Sequence, residues 1–312
     1  MKTIFMGTPE YVMPSLEALY EETEVIALFT GPDRRGGRKN LSIIPKPKEF
    51  AETHHIRIFQ PTHFNDEVMG GIESLKPDLL VVNAYGFILP QKVLDTPKLA
   101  AINLHGSLLP KYRGASPIQS SLIHGDQVTG ITAQIMAEKM DAGDIIHQVT
   151  TQIDEDDDYN TLSYRLSLLS ASCLRDVIAF YKDNQVIRKA QNHSDASYCK
   201  KIKKEEGLID WTDSYETLSH KIKAYIHWPQ SSTYYKNKKI IIHKVQKADD
   251  TMGSSPGSIK QFSKQGIIIQ CGDGSIRILS LQLENKKVMD YKAFLNGHHW
   301  NIKDSLSRNP ME

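Results

Sequence analysis

A chain of 312 residues is too long for one ordinary hydrophobic core and comfortable for two domains. Its 40% hydrophobic and 24% charged residues and its net charge of +1 exclude a disordered chain and give no bulk-charge argument for a nucleic-acid partner. Cys173, Cys199 and Cys271 lie far apart and exclude a disulfide framework or a paired zinc-ligand motif, and no apolar run approaches the roughly 18 residues of a membrane span.

The opening apolar run is interrupted by Pro9 and Glu10 before a signal-peptide core could form, so a cytoplasmic protein is expected. Thr3 to Met6 reads as a strand and Val12 to Tyr20 as an amphipathic helix, the start of a βαβ pattern. Further strands are expected at Val25 to Phe29, Leu79 to Val82 and Ala101 to Leu104, continuous apolar runs of the kind a parallel sheet covered on both faces requires. Gly130 to Ala137 reads as another strand. Thr161 to Tyr181 reads as a long helix, with Leu162, Leu166, Leu169, Cys173 and Val177 spaced by three or four.

From Asp183 to Gly207 the chain turns polar and reads as a link between domains. Beyond it come a helix near Tyr215 to Tyr225 and short strands at Lys239 to His243, Gly266 to Gln270 and Ser275 to Leu281, with an Asp273-Gly274 hairpin signal between the last two. Closely spaced short strands suggest a small OB-like β-barrel. The expected fold is therefore α/β, a Rossmann-like, mostly parallel sheet over 1–189, a link over 190–207 and a barrel over 208–312. Charge divides along the same line. From Tyr198 onward about 19 Lys and Arg stand against about 12 Asp and Glu, and before it about 19 against about 25.

In an open parallel sheet, ligands collect beyond the carboxyl ends of the strands. There the strand Ala101 to Leu104 carries Asn103 and runs on into His105, two residues apart on an extended chain, so their side chains share one side. Polar groups in an otherwise apolar strand cost stability unless they are used. After the strand at Gly130 come Asp141 and Asp144, either of which suits as the carboxylate that orients the imidazole; a turn acid capping the next segment is the alternative for both. The acidic run Asp154 to Asp158 reads as a solvated loop, and the pairs His54-His55 and His298-His299 lack helical ligand spacing, so no metal is expected.

Several motifs together resemble the methionyl-tRNA formyltransferase family. The likeness runs through Phe5 to Glu10, Ala84 to Pro90, Asn103 to Pro117 and Met140 to Asp144, then Ile209-Asp210-Trp211, Trp228-Pro229, Gly272 to Gly274 and Lys286-Lys287. The resemblance implies a catalytic set of Asn103, His105 and Asp141, and 10-formyltetrahydrofolate as formyl donor. It places the folate against Phe87, Ile88, Leu89, Ser107, Leu108, Leu109 and Pro110. It further implies methionyl initiator tRNA as acceptor, touched by the basic loop Gly31 to Leu41 through Arg34, Arg38 and Lys39, and a protein expected to act as a monomer. Arg35, Asn40, Leu283 and Asn285 depart from the common pattern and bear on the RNA contacts.

Three other readings compete. An amino-sugar formyltransferase shares the Asn103 to Gly114 stretch but not the basic loop and basic back half. A nicotinamide oxidoreductase needs Gly-x-Gly-x-x-Gly where Gly7-Thr8-Pro9-Glu10 stands. A non-catalytic RNA-binding protein leaves Asn103 and His105 unexplained.

Overall fold

The computed structural model describes residues 1–36, 41–249, 253–302 and 304–310. They form two compact units, one of Met1–Pro117, Val128–Gln152 and Leu162–Cys199, the other of Ile118–Gln127, Ile153–Thr161 and Lys200–Glu312. The first is a seven-stranded sheet. Its strands are β1 (Lys2–Met6), β2 (Glu24–Phe29), β5 (Arg57–Phe59), β6 (Leu79–Val82), β7 (Ala100–His105), β9 (Val128–Ile135) and β10 (Ile145–Gln152). Outside this sheet, β3 (Arg34–Gly36) pairs with β4 (Leu41–Ile43), and β8 (Arg113–Gly114) with β11 (Tyr198–Cys199).

The sheet order is β10-β9-β7-β6-β1-β2-β5, parallel from β7 to β5 and antiparallel at β9 and β10. Chain order reverses between β1 and β6, which opens the crevice at which α/β sheets bind ligands. Ile4, Met6, Ala27, Phe29, Leu80 and Val82 share one buried cluster, and the Phe29 and Phe59 rings stack at 4.6 Å. Each of these side chains other than Ala27 contributes about 1.5–3 kcal/mol through burial. Helices α1 (Met13–Glu22), α2 (Lys46–Thr53), α3 (Asp66–Leu75) and α4 (Gln91–Leu94) fall between the parallel strands, as βαβ connections require. Strand β10 was not anticipated. It is an edge strand whose residues alternate between half-buried and exposed, so it lacks the apolar run that marks its neighbours.

Two helices, α5 (Pro117–Ile123) and α6 (Tyr159–Lys182), follow β8 and β10. The polar stretch after Asp183 is ordered in its first part: Gln191 is buried, and β11 pairs with β8.

The second unit carries α7 (Tyr215–Ala224), β12 (Ser232–Tyr235), β13 (Lys238–Ala248), β14 (Ile259–Ser263), β15 (Gly266–Cys271), β16 (Gly274–Leu283), β17 (Met289–Asp290), α8 (Tyr291–Gly297) and β18 (Leu306–Ser307). Its sheet runs β14-β15-β16-β13-β12-β18, with β17 beside β16. The two ends meet at a bridge between Ser258 and Ser305, flanked by Ile259 N–H to Asp304 O and Leu306 N–H to Gly257 O, both 2.8 Å. The small barrel thereby closes on itself. Alternation puts Ile267, Ile269, Ile276 and Ile278 inside with Trp211, Leu218 and Phe294.

Candidate active site

Strand β7 lies between β6 and β9, with Val82 opposite Asn103 on one side and Gln134 opposite Asn103 on the other; His105 is paired with Thr132. This register brings the polar residues of two strands to one end of the sheet. The chain leaving β9 then turns back through Asp141, which sits at φ 52°, a left-handed conformation that Asp tolerates better than most residues. Gly143 follows where a Cβ would come within 1.9 Å of the Ile135 carbonyl oxygen, so only glycine lets the turn pack this close to β9.

The turn delivers one carboxylate to both predicted partners. Asn103 Nδ2–H donates to Asp141 Oδ1 at 3.2 Å, and His105 Nδ1 lies 3.6 Å from the same oxygen. Asp144, the other candidate, half-buried, pairs through its backbone carbonyl with Ile135 N–H and makes no ion pair among the described residues. Two further donors complete the shell of Asp141: Gln134 Nε2–H to Oδ1 at 2.8 Å and Gly114 N–H to Oδ2 at 2.9 Å. His105 is buried, and its Nε2–H donates to Tyr112 O at 2.9 Å. A carbonyl can only accept, so this bond fixes the proton on Nε2 and leaves Nδ1 as the nitrogen facing Asp141.

The turn from Gly106 to Gly114 is held by side chains of the neighbouring strands. Thr132 Oγ1–H donates to Ser107 O at 2.6 Å and accepts from Leu109 N–H at 3.0 Å, while Gln148 Nε2–H donates to Leu109 O at 3.0 Å. Ser107 Oγ–H closes the turn onto Lys111 O at 2.6 Å. Ser107 and Leu109 are thus buried and internally bonded, whereas Leu108 and Pro110 are half-exposed. Gly114 has φ +122°, and a Cβ there would fall 2.0 Å from Cys199 O.

The crevice between β1 and β6 is laced differently. Thr8 Oγ1–H donates to Tyr85 O at 3.3 Å and accepts from Gly31 N–H at 3.1 Å, tying the ends of β1, β2 and β6 together. Beyond Tyr85, no hydrogen bond among the described residues engages the backbone of Phe87, Ile88 or Leu89, and Ile88 is 83% exposed. Burial pushes the Tyr85 hydroxyl well above the ordinary phenol range, and it has no hydrogen-bond partner among the described residues. Of the predicted basic-loop residues, Arg34 is exposed on β3, and Arg38 and Lys39 lie outside the described residues.

Sequence reasoning missed Gln134 and Gln191. Gln134 follows the same logic as Asn103 and His105: Thr132 and Gln134 are polar, two apart and buried in the same strand. Gln191 had no such signal because it lies in no strand or helix and its neighbours Ala190 and Asn192 are exposed.

Among the described residues no cluster of three or more His, Cys, Asp or Glu could hold a metal ion, and no helix is long and apolar enough to cross a membrane.

The chain is a formyl-group transferase: the formyl transferase family model matches residues 1–178, which hold this sheet and edge, and the formyl transferase C-terminal domain matches 201–299. Similar proteins include the methionyl-tRNA formyltransferases of Acetivibrio thermocellus, 38% identical over 96% of this chain and 97% of that one, and of Geobacter sulfurreducens, 39% identical over 95% and 94%. The chain belongs to the methionyl-tRNA formyltransferase family. Among solved structures, the sugar 3N-formyl transferase WlaRD superposes with a TM-score of 0.66 at 18% identity over 92% of this chain and 99% of that one. HypX of Aquifex aeolicus in complex with tetrahydrofolic acid gives 0.62 at 15% over 95% and 47%; both establish likeness of fold.

Proposed function

We propose that this protein transfers the formyl group of 10-formyltetrahydrofolate to the α-amino group of methionyl initiator tRNA, with Asn103, His105 and Asp141 at the reacting atoms. The observation that carries the assignment is the convergence of Asn103 and His105 on one Asp141 oxygen, at 3.2 and 3.6 Å. The acceptor follows from the family, whose curated members at 37–40% identity are named for it.

The chemistry follows from the donors present. The neutral amine attacks the formyl carbon, the C=O electrons move onto oxygen, and the C–N bond to the folate N10 breaks as that oxyanion collapses. The second Asn103 Nδ2–H, not used on Asp141, and a proton on His105 Nδ1 are suitable donors to the oxyanion; one such donor is worth about 3–4 kcal/mol at the transition state. Nε2–H, anchored on Tyr112 O, keeps the ring from rotating away. Asp141 orients the imidazole and takes, directly or through one water, the proton the amine loses, and passes that same proton on to the folate nitrogen as it leaves.

For the folate, the unpaired backbone groups of Phe87, Ile88 and Leu89 fit a planar ring bearing both donors and acceptors. Leu108 and Pro110 would line the same side, with Ser107 and Leu109 shaping the turn from within. The folate supplies the activated formyl group, and the chain's own residues supply position and proton handling. For the tRNA, Arg34, Arg38 and Lys39 and the basic barrel would meet phosphates, so binding should weaken steeply with salt. We assign residues 1–189 to catalysis, 190–207 to the connection and 208–312 to tRNA binding, in a cytoplasmic monomer.

The test is formyl transfer from labelled donor to charged initiator tRNA, with an amino-sugar nucleotide as control acceptor. Asn103→Ala, His105→Ala and Asp141→Asn should each lower kcat by about 100-fold or more while thermal midpoints hold. Near-normal turnover in any of the three sinks its assigned role. Formylation of the sugar and not the tRNA overturns the acceptor.

A further inference from the structure

The residue that closes the site from behind lies in neither segment matched by the family models: Gln191 stands between 178 and 201. It is 7% exposed, and its amide is used on both ends. Nε2–H groups donate to Asp141 O at 3.0 Å and Gly143 O at 2.7 Å, and Oε1 accepts from Arg113 Nε–H at 3.1 Å and Nη2–H at 2.6 Å. The amide orientation is fixed by its partners, because carbonyls only accept and a guanidinium only donates.

Arg113 is itself buried, at 3% exposure, and has no carboxylate partner among the described residues. Its other contacts are neutral: His193 Nδ1 accepts from Nη2–H at 3.0 Å, and the Tyr198 hydroxyl lies 3.5 Å from Nη1. A buried cation is costly unless its hydrogen bonds are met, so Arg113 and Gln191 hold each other. Arg113 is joined directly to Gly114, whose N–H binds Asp141 Oδ2. The Asp141 turn is therefore held from two directions at once, by its carboxylate through Gly114 and by its backbone carbonyls through Gln191.

We infer that Gln191 is a positioning residue for the formyl transfer: it clamps the Asp141–Gly143 turn onto Arg113 and so sets the distance between Asp141 and the Asn103–His105 pair. This rests on the reading of Asp141 as a member of the catalytic set. The left-handed φ of Asp141 adds to the need for such support, since even for an aspartate that conformation is held by its surroundings.

Gln191→Glu separates positioning from mere burial of Arg113. The carboxylate still accepts both Arg113 bonds, and as an ion pair holds the cation at least as well, but it has no hydrogen to give to the Asp141 and Gly143 carbonyls. Formyl-transfer rates in the full chain, read well below the unfolding midpoint, should show kcat lower by about 100-fold, the order expected for a small misplacement of a reacting group, with both KM values within about twofold; the midpoint itself falls modestly because two buried carbonyls lose their donor. Gln191→Asn carries the same test if Gln191→Glu does not fold, because its amide is one methylene too short to span from Arg113 to both carbonyls. Wild-type kcat in either folded variant overturns the inference, as does a loss confined to KM. Asp141→Asn run alongside keeps the two claims apart: a slow Asp141→Asn with a normal Gln191→Glu removes the clamp and leaves the site, whereas a normal Asp141→Asn removes the site reading itself.

Discussion

The turn 106–114 after β7 and the loop 84–90 after β6 leave neighbouring parallel strands at the same edge, yet they are built in opposite ways. In the first, backbone groups of Ser107, Leu109, Tyr112 and Gly114 are bonded to other parts of the unit, and that of Lys111 to Ser107 within the turn. In the second, the backbone of Phe87 to Leu89 has no partner among the described residues, and Ile88 stands in solvent. A group that must meet a transition state within a fraction of an ångström needs a saturated support. A surface that reads a ligand's ring edge needs main-chain groups left free.

The largest effect should come from breaking the pinned turn. Gly114→Ala combines a strained φ of +122° with a Cβ 2.0 Å from Cys199 O. It should displace the N–H that holds Asp141 and lower kcat by about 100-fold, with a lower thermal midpoint. An unchanged kcat would show that the Gly114 bond to Asp141 is dispensable. Next comes Thr132→Val, nearly equal in shape but without the hydroxyl that serves Ser107 O and Leu109 N–H. Leaving that buried N–H unmet costs about 1–3 kcal/mol, visible in denaturant unfolding as a shifted midpoint at constant slope.

The open loop should respond in the opposite sense. Ile88→Ala removes an 83% exposed side chain, so stability should stay within about 0.5 kcal/mol while KM for the folate rises severalfold. A change in stability with no change in KM would reverse the comparison. The smallest effect lies in the second unit, at His220, whose pKa burial depresses below its usual 6.5. The unfolded chain then binds the extra proton first, so stability is fully present above about pH 6.5 and is lost as pH falls through the lower folded value. His220→Gln should flatten that limb of the stability–pH curve. A curve of the same slope in the variant would remove His220 as its source.

Legibility in the sequence followed the same division between elements with a period and elements without one. The parallel strands β1, β2, β6 and β7 were readable as continuous apolar runs, whereas β5, three residues long and opening on Arg57, was not; the pairing of Asn103 with His105 was readable because alternation along a buried strand is a strict geometric rule. The choice of Asp141 over Asp144 was not readable from the residues, because it depends on one left-handed φ in a turn. Gln134 obeyed the rule that revealed Asn103 and could have been found by applying it to β9. Gln191 could not, since a buried amide among exposed neighbours looks like any solvated link until its partners, 50 and 78 residues away, are in place. The barrel's hairpin was legible from Asp273-Gly274, but its closure was not, because the bridge pairs residues in two unremarkable serine-containing turns.

That closure has a consequence for the behaviour of the protein in a crowded solution. Segments such as Gly266–Cys271, with three consecutive isoleucines and no charge, are the kind that add to any exposed sheet edge and seed ordered aggregates. The bridge at Ser258 and Ser305 spends the N–H groups of Ile259 and Leu306 within the barrel, so among the described residues the starts of β14 and β18 are paired with each other and not offered to another copy. Substituting Leu306, whose N–H makes one of the two closing bonds, with proline should therefore be read first in light scattering on standing, before any loss of formyl transfer is seen.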